Sequence, residues 1–138
     1  MKKLLLAVVG SRAYLNRDRV LKVISHYIER YGAENLVIVS GGCPNGGDAL
    51  AKDVALSLGL SYSEFPPKHA RHNKYCVNPP DEYNKPYNVK NFFERNTQIA
   101  EYCDHLIAFV IKGVKANGTM DTVAKAKQFN KKVVILED

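Results

Sequence analysis

The chain has 138 residues, 20 of them Lys or Arg and 14 Asp or Glu, for a formal charge of +6. That length suits one domain with a single sizeable core, and no apolar run is long enough to span a bilayer. Three widely spaced cysteines argue against a disulfide framework and for a reducing, cytoplasmic setting, while the positive charge suits an anionic partner.

Met1-Lys2-Lys3 ahead of an apolar stretch has the outline of a signal peptide, but the stretch is short and runs into an amphipathic pattern without a cleavage site. Residues 4–9 are continuously apolar, which predicts a strand buried on both faces. Val20, Val23, Ile24, Tyr27, Ile28 and Tyr31 then recur at helical spacing. Asn16 is placed to cap that helix, Asp18 suits its first turn, and Gly32 is placed to end it. Residues 36–39 predict a second buried strand. The stretch 40–48, Ser-Gly-Gly-Cys-Pro-Asn-Gly-Gly-Asp, leads from it into a helix presenting Leu50, Val54, Ala55 and Leu58, closed by Gly59. Glycine lets backbone approach a ligand and a helix N-terminus favours negative charge, so this loop is a candidate phosphate cradle. It fits neither the Walker pattern nor G-x-G-x-x-G, and a purely structural turn would use glycine too. For Asp48, capping its own helix is favoured over holding a ribose hydroxyl. Residues 60–65 predict a shorter, more polar third strand near an edge of the sheet.

Residues 66–88 hold Pro66-Pro67, Pro79-Pro80, Pro86 and several Asn, with no sustained period, and read as a long irregular insertion. Tyr75, Tyr83 and Tyr87 make it too aromatic for a plain linker, so it is expected to fold over the ligand face and offer a ring for stacking. Residues 89–103 return to helical spacing with Phe92, Ile99 and Cys103 on one stripe. Arg95 and Asn96 interrupt that stripe, which points to a polar pocket at that turn. Residues 106–111 predict a fourth buried strand, 112–119 a Gly-containing turn, Met120, Val123 and Ala124 a helix, and 133–136 the last strand.

Five strands alternating with helices predict an α/β, Rossmann-like open parallel sheet with helices on both faces. In such sheets the ligand lies beyond the carboxyl ends of the strands, where the order reverses. With the order 3-2-1-4-5, the turns leaving strands one, two and four all fall on that edge, each with glycine and hydroxyl or basic groups.

Val8-Val9-Gly10-Ser11-Arg12, Val39-Ser40-Gly41-Gly42 with Gly47-Asp48, Arg95-Asn96, residues 104–109 and Gly118-Thr119 follow one another as the motif series of the SLOG superfamily does. The chain resembles its YspA-like branch over nearly its whole length. The resemblance implies a single nucleotide-binding domain over 1–138, with the insertion at about 66–88. Carried over by position, Gly10, Ser11 and Arg12 line the first loop and Ser40, Gly41 and Gly42 the second. Asp48, Arg95 and Asn96 follow, and Gly118 and Thr119 come from the fourth strand's loop. The superfamily also holds LOG-type phosphoribohydrolases and DprA-like proteins, so three functions stand. They are nucleotide binding or sensing, cleavage of the N-glycosidic bond of a nucleoside monophosphate, and single-strand DNA binding. Phosphoribohydrolases resemble P-G-G-x-G-T-x-x-E, and here the Glu position is Thr122. Asp121, one residue earlier, is a poor substitute because it lies about 100° around the helix.

Neither a cofactor nor a metal is expected, since His69, His72 and Cys76 lack structural-site spacing. Cys43 reads as a small loop residue rather than a nucleophile. Lys125, Lys127, Lys131 and Lys132 read as a solvated basic face. The expected partner is a nucleotide-like small molecule, without a membrane; a homodimer sharing the site is left open.

Overall fold

The computed structural model describes residues 2–138, so Met1 of the signal-like stretch lies outside the described residues. Strands β1 (Leu4–Gly10), β2 (Leu36–Ser40), β3 (Ser61–Glu64), β4 (His105–Val110) and β5 (Lys132–Glu137) form one parallel sheet in the order β3-β2-β1-β4-β5. Helices α1 (Arg17–Tyr31), α2 (Gly46–Ser57), α3 (Lys90–Tyr102) and α4 (Asn117–Gln128) make the crossovers. This is the Rossmann-like order expected from the alternation, with β3 at one edge. Among the described residues no helix is long and apolar enough to cross a membrane.

The continuous apolar character of β1 has a direct cause. Its alternate residues enter two different cores. Leu6 and Val8 pack with Val20 and Ile24 of α1 and Val54 of α2, whereas Ala7 and Val9 pack with Ile99 of α3 and Val123 of α4. Both sets are nearly or fully buried, and removing one such side chain from water contributes roughly 1.5–3 kcal/mol. In register, Leu6 stands beside Ile38 of β2 and His105 of β4, which places the ends of β1 and β4 side by side where the order reverses.

Helix α1 ends where the residue types direct it. The Asn16 side chain accepts from the Arg19 amide at 3.1 Å, and Gly32, at φ +91°, donates its amide to the Ile28 carbonyl at 2.8 Å. Helix α2 starts at Gly46, ahead of its apolar pattern. Asn45 is its cap residue, with no side-chain cap hydrogen bond, and Asp48 sits two residues inside. The expectation that Asp48 caps this helix is therefore corrected.

The 66–88 stretch is irregular but pinned. Apart from a short 3-10 turn (Pro80–Glu82), it runs beside the free edge of β3, where the Glu64 amide donates to Tyr75 O at 2.9 Å and the Val77 amide to Glu64 O at 3.2 Å. Internal bonds from Asn84 to Ala70 O (2.9 Å) and Lys85 to Lys68 O (3.0 Å) close it on itself. Beneath it the buried Glu64 carboxylate accepts from Tyr62 (3.1 Å) and Asn73 (2.7 Å) and pairs with Lys52 at 3.0 Å.

Candidate functional site

The carboxyl edge of the sheet opens into a cavity of about 640 Å³ where β1 and β4 diverge. Nine of the eleven residues singled out in the sequence line it: Gly10, Ser11, Arg12, Gly42, Asp48, Arg95, Asn96, Gly118 and Thr119. Ser40 and Gly41 do not. The Ser40 hydroxyl is fully buried and bonds the Tyr62 hydroxyl at 2.5 Å, so it serves the Glu64 network behind the loop. Gly41 is wedged between two charged groups, and a Cβ there would stand 2.5 Å from Arg95 Nη1 and 2.6 Å from Asp48 Oδ2.

The first and second loops are stitched to each other. The Ser11 carbonyl accepts from the amides of Tyr14 and Gly47, both at 3.1 Å, and the Ser11 amide reaches Phe109 O at 3.0 Å. A Cβ on Gly47 would lie 2.5 Å from the Gly10 Cα, so both positions need glycine for the strand end and helix start to touch. Backbone at these turns does gather around an anion, but that anion belongs to the chain. The Asp48 carboxylate stands among these turns, where the Arg95 charge and the nearby amides of Cys43, Gly41 and Gly10 favour its ionised form. Burial still raises its pKa, because those favourable contacts offset only part of the desolvation. The glycine loop that was expected to receive a phosphate thus already faces a carboxylate of the chain itself.

Arg95 is committed inward as well. Its Nη1 donates to Gly41 O at 2.6 Å and Phe65 O at 3.4 Å, and its Nε to Asn96 Oδ1 at 3.0 Å. Burial lowers the guanidinium pKa, opposed by the Asp48 charge. Asn96 passes the connection on, donating to Gly118 O (3.3 Å) and to Asp121 Oδ2 (3.1 Å). The Arg-Asn interruption of the α3 stripe therefore ties the β2 and β3 ends to the start of α4. Arg12, by contrast, is exposed and makes no hydrogen bond or ion pair among the described residues; its guanidinium stands 5.9 Å from the Phe92 ring centre.

The start of α4 is the open donor set. Its cap residue, Ala116, offers no side chain, and the amides of Asn117, Gly118 and Thr119 have no acceptor among the described residues. All three residues line the cavity. Bare first-turn amides with the helix dipole behind them attract an anion. Thr122, at the position of the phosphoribohydrolase Glu, turns its hydroxyl to Gly118 O at 3.1 Å. Asp121 lies outside the cavity lining, bonded to Asn96 and to Lys125 at 2.8 Å, so among the described residues Asp48 is the only carboxylate on the wall.

Two wall residues carry rings that the sequence did not assign to the site. Phe92, assigned to the core stripe, lines the cavity, and so does His69, with ring centres 4.9 Å apart. The loop tyrosines expected to offer a ring do not line it. Tyr75 packs on Tyr62, Tyr83 is buried within the insertion, and Tyr87 backs His69 at 4.7 Å. His69, His72 and Cys76 each find different neighbours: Asn91, Tyr83 and Asn73. In the basic cluster, Lys125 is held by Asp121 and Phe93 O, and Lys131 by Glu101 O.

Residues 5–72 match the model of the family described as YspA, cpYpsA-related SLOG. The match takes in just under half of the chain and supports the resemblance to the YspA-related branch of the SLOG superfamily. An uncharacterized protein of Acanthamoeba polyphaga mimivirus is 52% identical to it over 40 residues, which span 29% of the chain and 22% of that protein. Among solved structures, the molybdenum cofactor binding protein of Rippkaea orientalis superposes on all of this chain and 78% of its own, with a TM-score of 0.72 at 21% identity. The molybdenum cofactor carrier protein of Chlamydomonas reinhardtii covers 99% of the chain and 79% of its own, with a TM-score of 0.68 at 18% identity. These two share the fold.

Proposed function

We propose that this protein binds a nucleotide, or a similarly phosphorylated heterocycle, and holds it without cleaving it. The observation that carries the reading is the unpaired first turn of α4, with three amides without acceptors at residues that line a cavity of about 640 Å³. Arg12 and Lys115, both on the wall and without a side-chain hydrogen bond or ion pair among the described residues, are free to neutralise a phosphate, whereas Arg95 already serves the backbone and faces Asp48. Hydrolysis of a glycosidic bond generally calls for a carboxyl group poised at the bond. The one carboxylate on this wall among the described residues is buried and faces the Arg95 charge, which favours holding over cleavage. Single-strand binding draws less support, since the loop tyrosines are off the wall and two of the four clustered lysines are tied to the protein.

The test is a thermal-shift and calorimetric panel of nucleosides, nucleoside monophosphates and the molybdenum cofactor, which the structural neighbours are described as binding. Phosphorylated members should raise the unfolding temperature with concentration, by about 2.7 kcal/mol of added stability at 100 times Kd. Unphosphorylated nucleosides should do far less, and chromatography should find no released base. Equal response to nucleoside and nucleotide would refute the phosphate assignment; free base would restore the hydrolase reading.

A further inference from the structure

One end of the cavity is built differently from the α4 end. His69, Phe92, Ala70, Pro66 and Pro67 form an apolar, ring-rich wall. His69 is oriented by a residue outside the wall. Asn91, buried at 9% exposure, places its Nδ2 3.0 Å from His69 Nδ1 and 3.4 Å from the Pro86 carbonyl. A carbonyl oxygen can only accept, so the Asn91 nitrogen must be the group facing both partners. His69 Nδ1 is then an acceptor, and the neutral imidazole carries its proton on Nε2. That Nε2–H has no partner among the described residues, and Tyr87 and Phe92 pack on the ring that bears it.

We infer that this end is the ring subsite, where His69 Nε2–H donates to a carbonyl oxygen on a planar heterocycle lying against Phe92. Asn91 is the positioning residue that sets the tautomer. The inference rests on the phosphate-binding reading above and adds the class of ring: 6-oxo-type heterocycles over 6-amino ones. A fixed donor rewards an oxygen acceptor and leaves an amino group facing another donor, which costs affinity. The apolar wall also favours a ring over a bare sugar phosphate.

The experiment compares ribose 5-phosphate, adenosine monophosphate and inosine monophosphate by calorimetry on the intact chain. The expected order has inosine monophosphate at least about tenfold tighter than adenosine monophosphate, with ribose 5-phosphate weakest. His69→Phe keeps a ring but removes the donor, so it should bring the inosine-to-adenosine ratio to about one and leave ribose 5-phosphate unchanged. Nitrogen-15 spectra of the unmodified protein should show Nδ1 of His69 unprotonated and Nε2 protonated. Binding of all three phosphates with no preference between the purines, a preference that survives His69→Phe, or a proton on Nδ1 would each overturn the inference alone. Failure of every phosphate to bind would overturn the underlying reading with it.

Discussion

Replacing Arg95 by Ala should destabilise the fold before it affects any ligand. The guanidinium supplies donors to Gly41 O, Phe65 O and Asn96 Oδ1 and is the charge facing the buried Asp48 carboxylate. Removing one member of a buried charge pair typically costs about 3–5 kcal/mol. Here the vacated space adjoins an open cavity from which water can reach the orphaned carbonyls, so about 2–3 kcal/mol is the expected loss. With a melting entropy of about 2.1 cal/mol/K per residue, that corresponds to roughly 7–10 °C in Tm for 138 residues. Urea unfolding followed by circular dichroism gives the free energy directly. The pH dependence has a definite sign. Below the ordinary carboxylate range Asp48 is neutral in both proteins and the Coulomb part of the difference vanishes. As pH rises Asp48 ionises, in the variant without its countercharge, and the gap between the two proteins widens. A loss under about 0.5 kcal/mol, or one that does not change with pH, would refute the role given to Arg95.

Three further outcomes follow from the same geometry. Arg12→Ala should leave urea stability within about 0.5 kcal/mol yet weaken phosphate binding about tenfold, with a shallower salt dependence by titration calorimetry. Gly47→Ala drives a Cβ into the Gly10 backbone and should cost about 1–3 kcal/mol or more, read as a lower urea midpoint at unchanged slope. Asp48→Asn removes a carboxyl whose folded pKa is raised, so its ionisation opposes folding. The wild type should therefore lose stability relative to this variant as pH climbs from the carboxylate range through that raised pKa, and a difference that is flat with pH would contradict the assignment.

Much of this was legible in the residues. Unbroken apolar runs at four strand positions, alternating with helical periods, pointed to an open parallel sheet, and the glycines after β1 and β2 to the edge that opens; the order β3-β2-β1-β4-β5 is the one assumed for such a sheet. Arg95 and Asn96 stood out because polar groups rarely interrupt a core stripe without partners. What local patterning could not reveal was which partners. Asp48 looked like a cap because the helix pattern appears to begin beside it. The helix starts three residues earlier, with Asn45 as its cap and Gly47 against Gly10, so Asp48 lies inside the first turn and faces the loop instead. Ser40 lies two residues ahead of Gly42, the first residue of this loop on the cavity, and its hydroxyl bonds Tyr62 instead. The ring on the wall came from His69 and Phe92 rather than the tyrosines, a choice made by how the insertion folds along β3, which no short-range period encodes.

The most direct measurement is a titration of the nitrogen-15-labelled protein with a nucleoside monophosphate, followed by amide resonances. The largest changes are expected at Asn117, Gly118 and Thr119, absent when the unphosphorylated nucleoside is added. Saturable binding that leaves those three amides unmoved while others shift would contradict it.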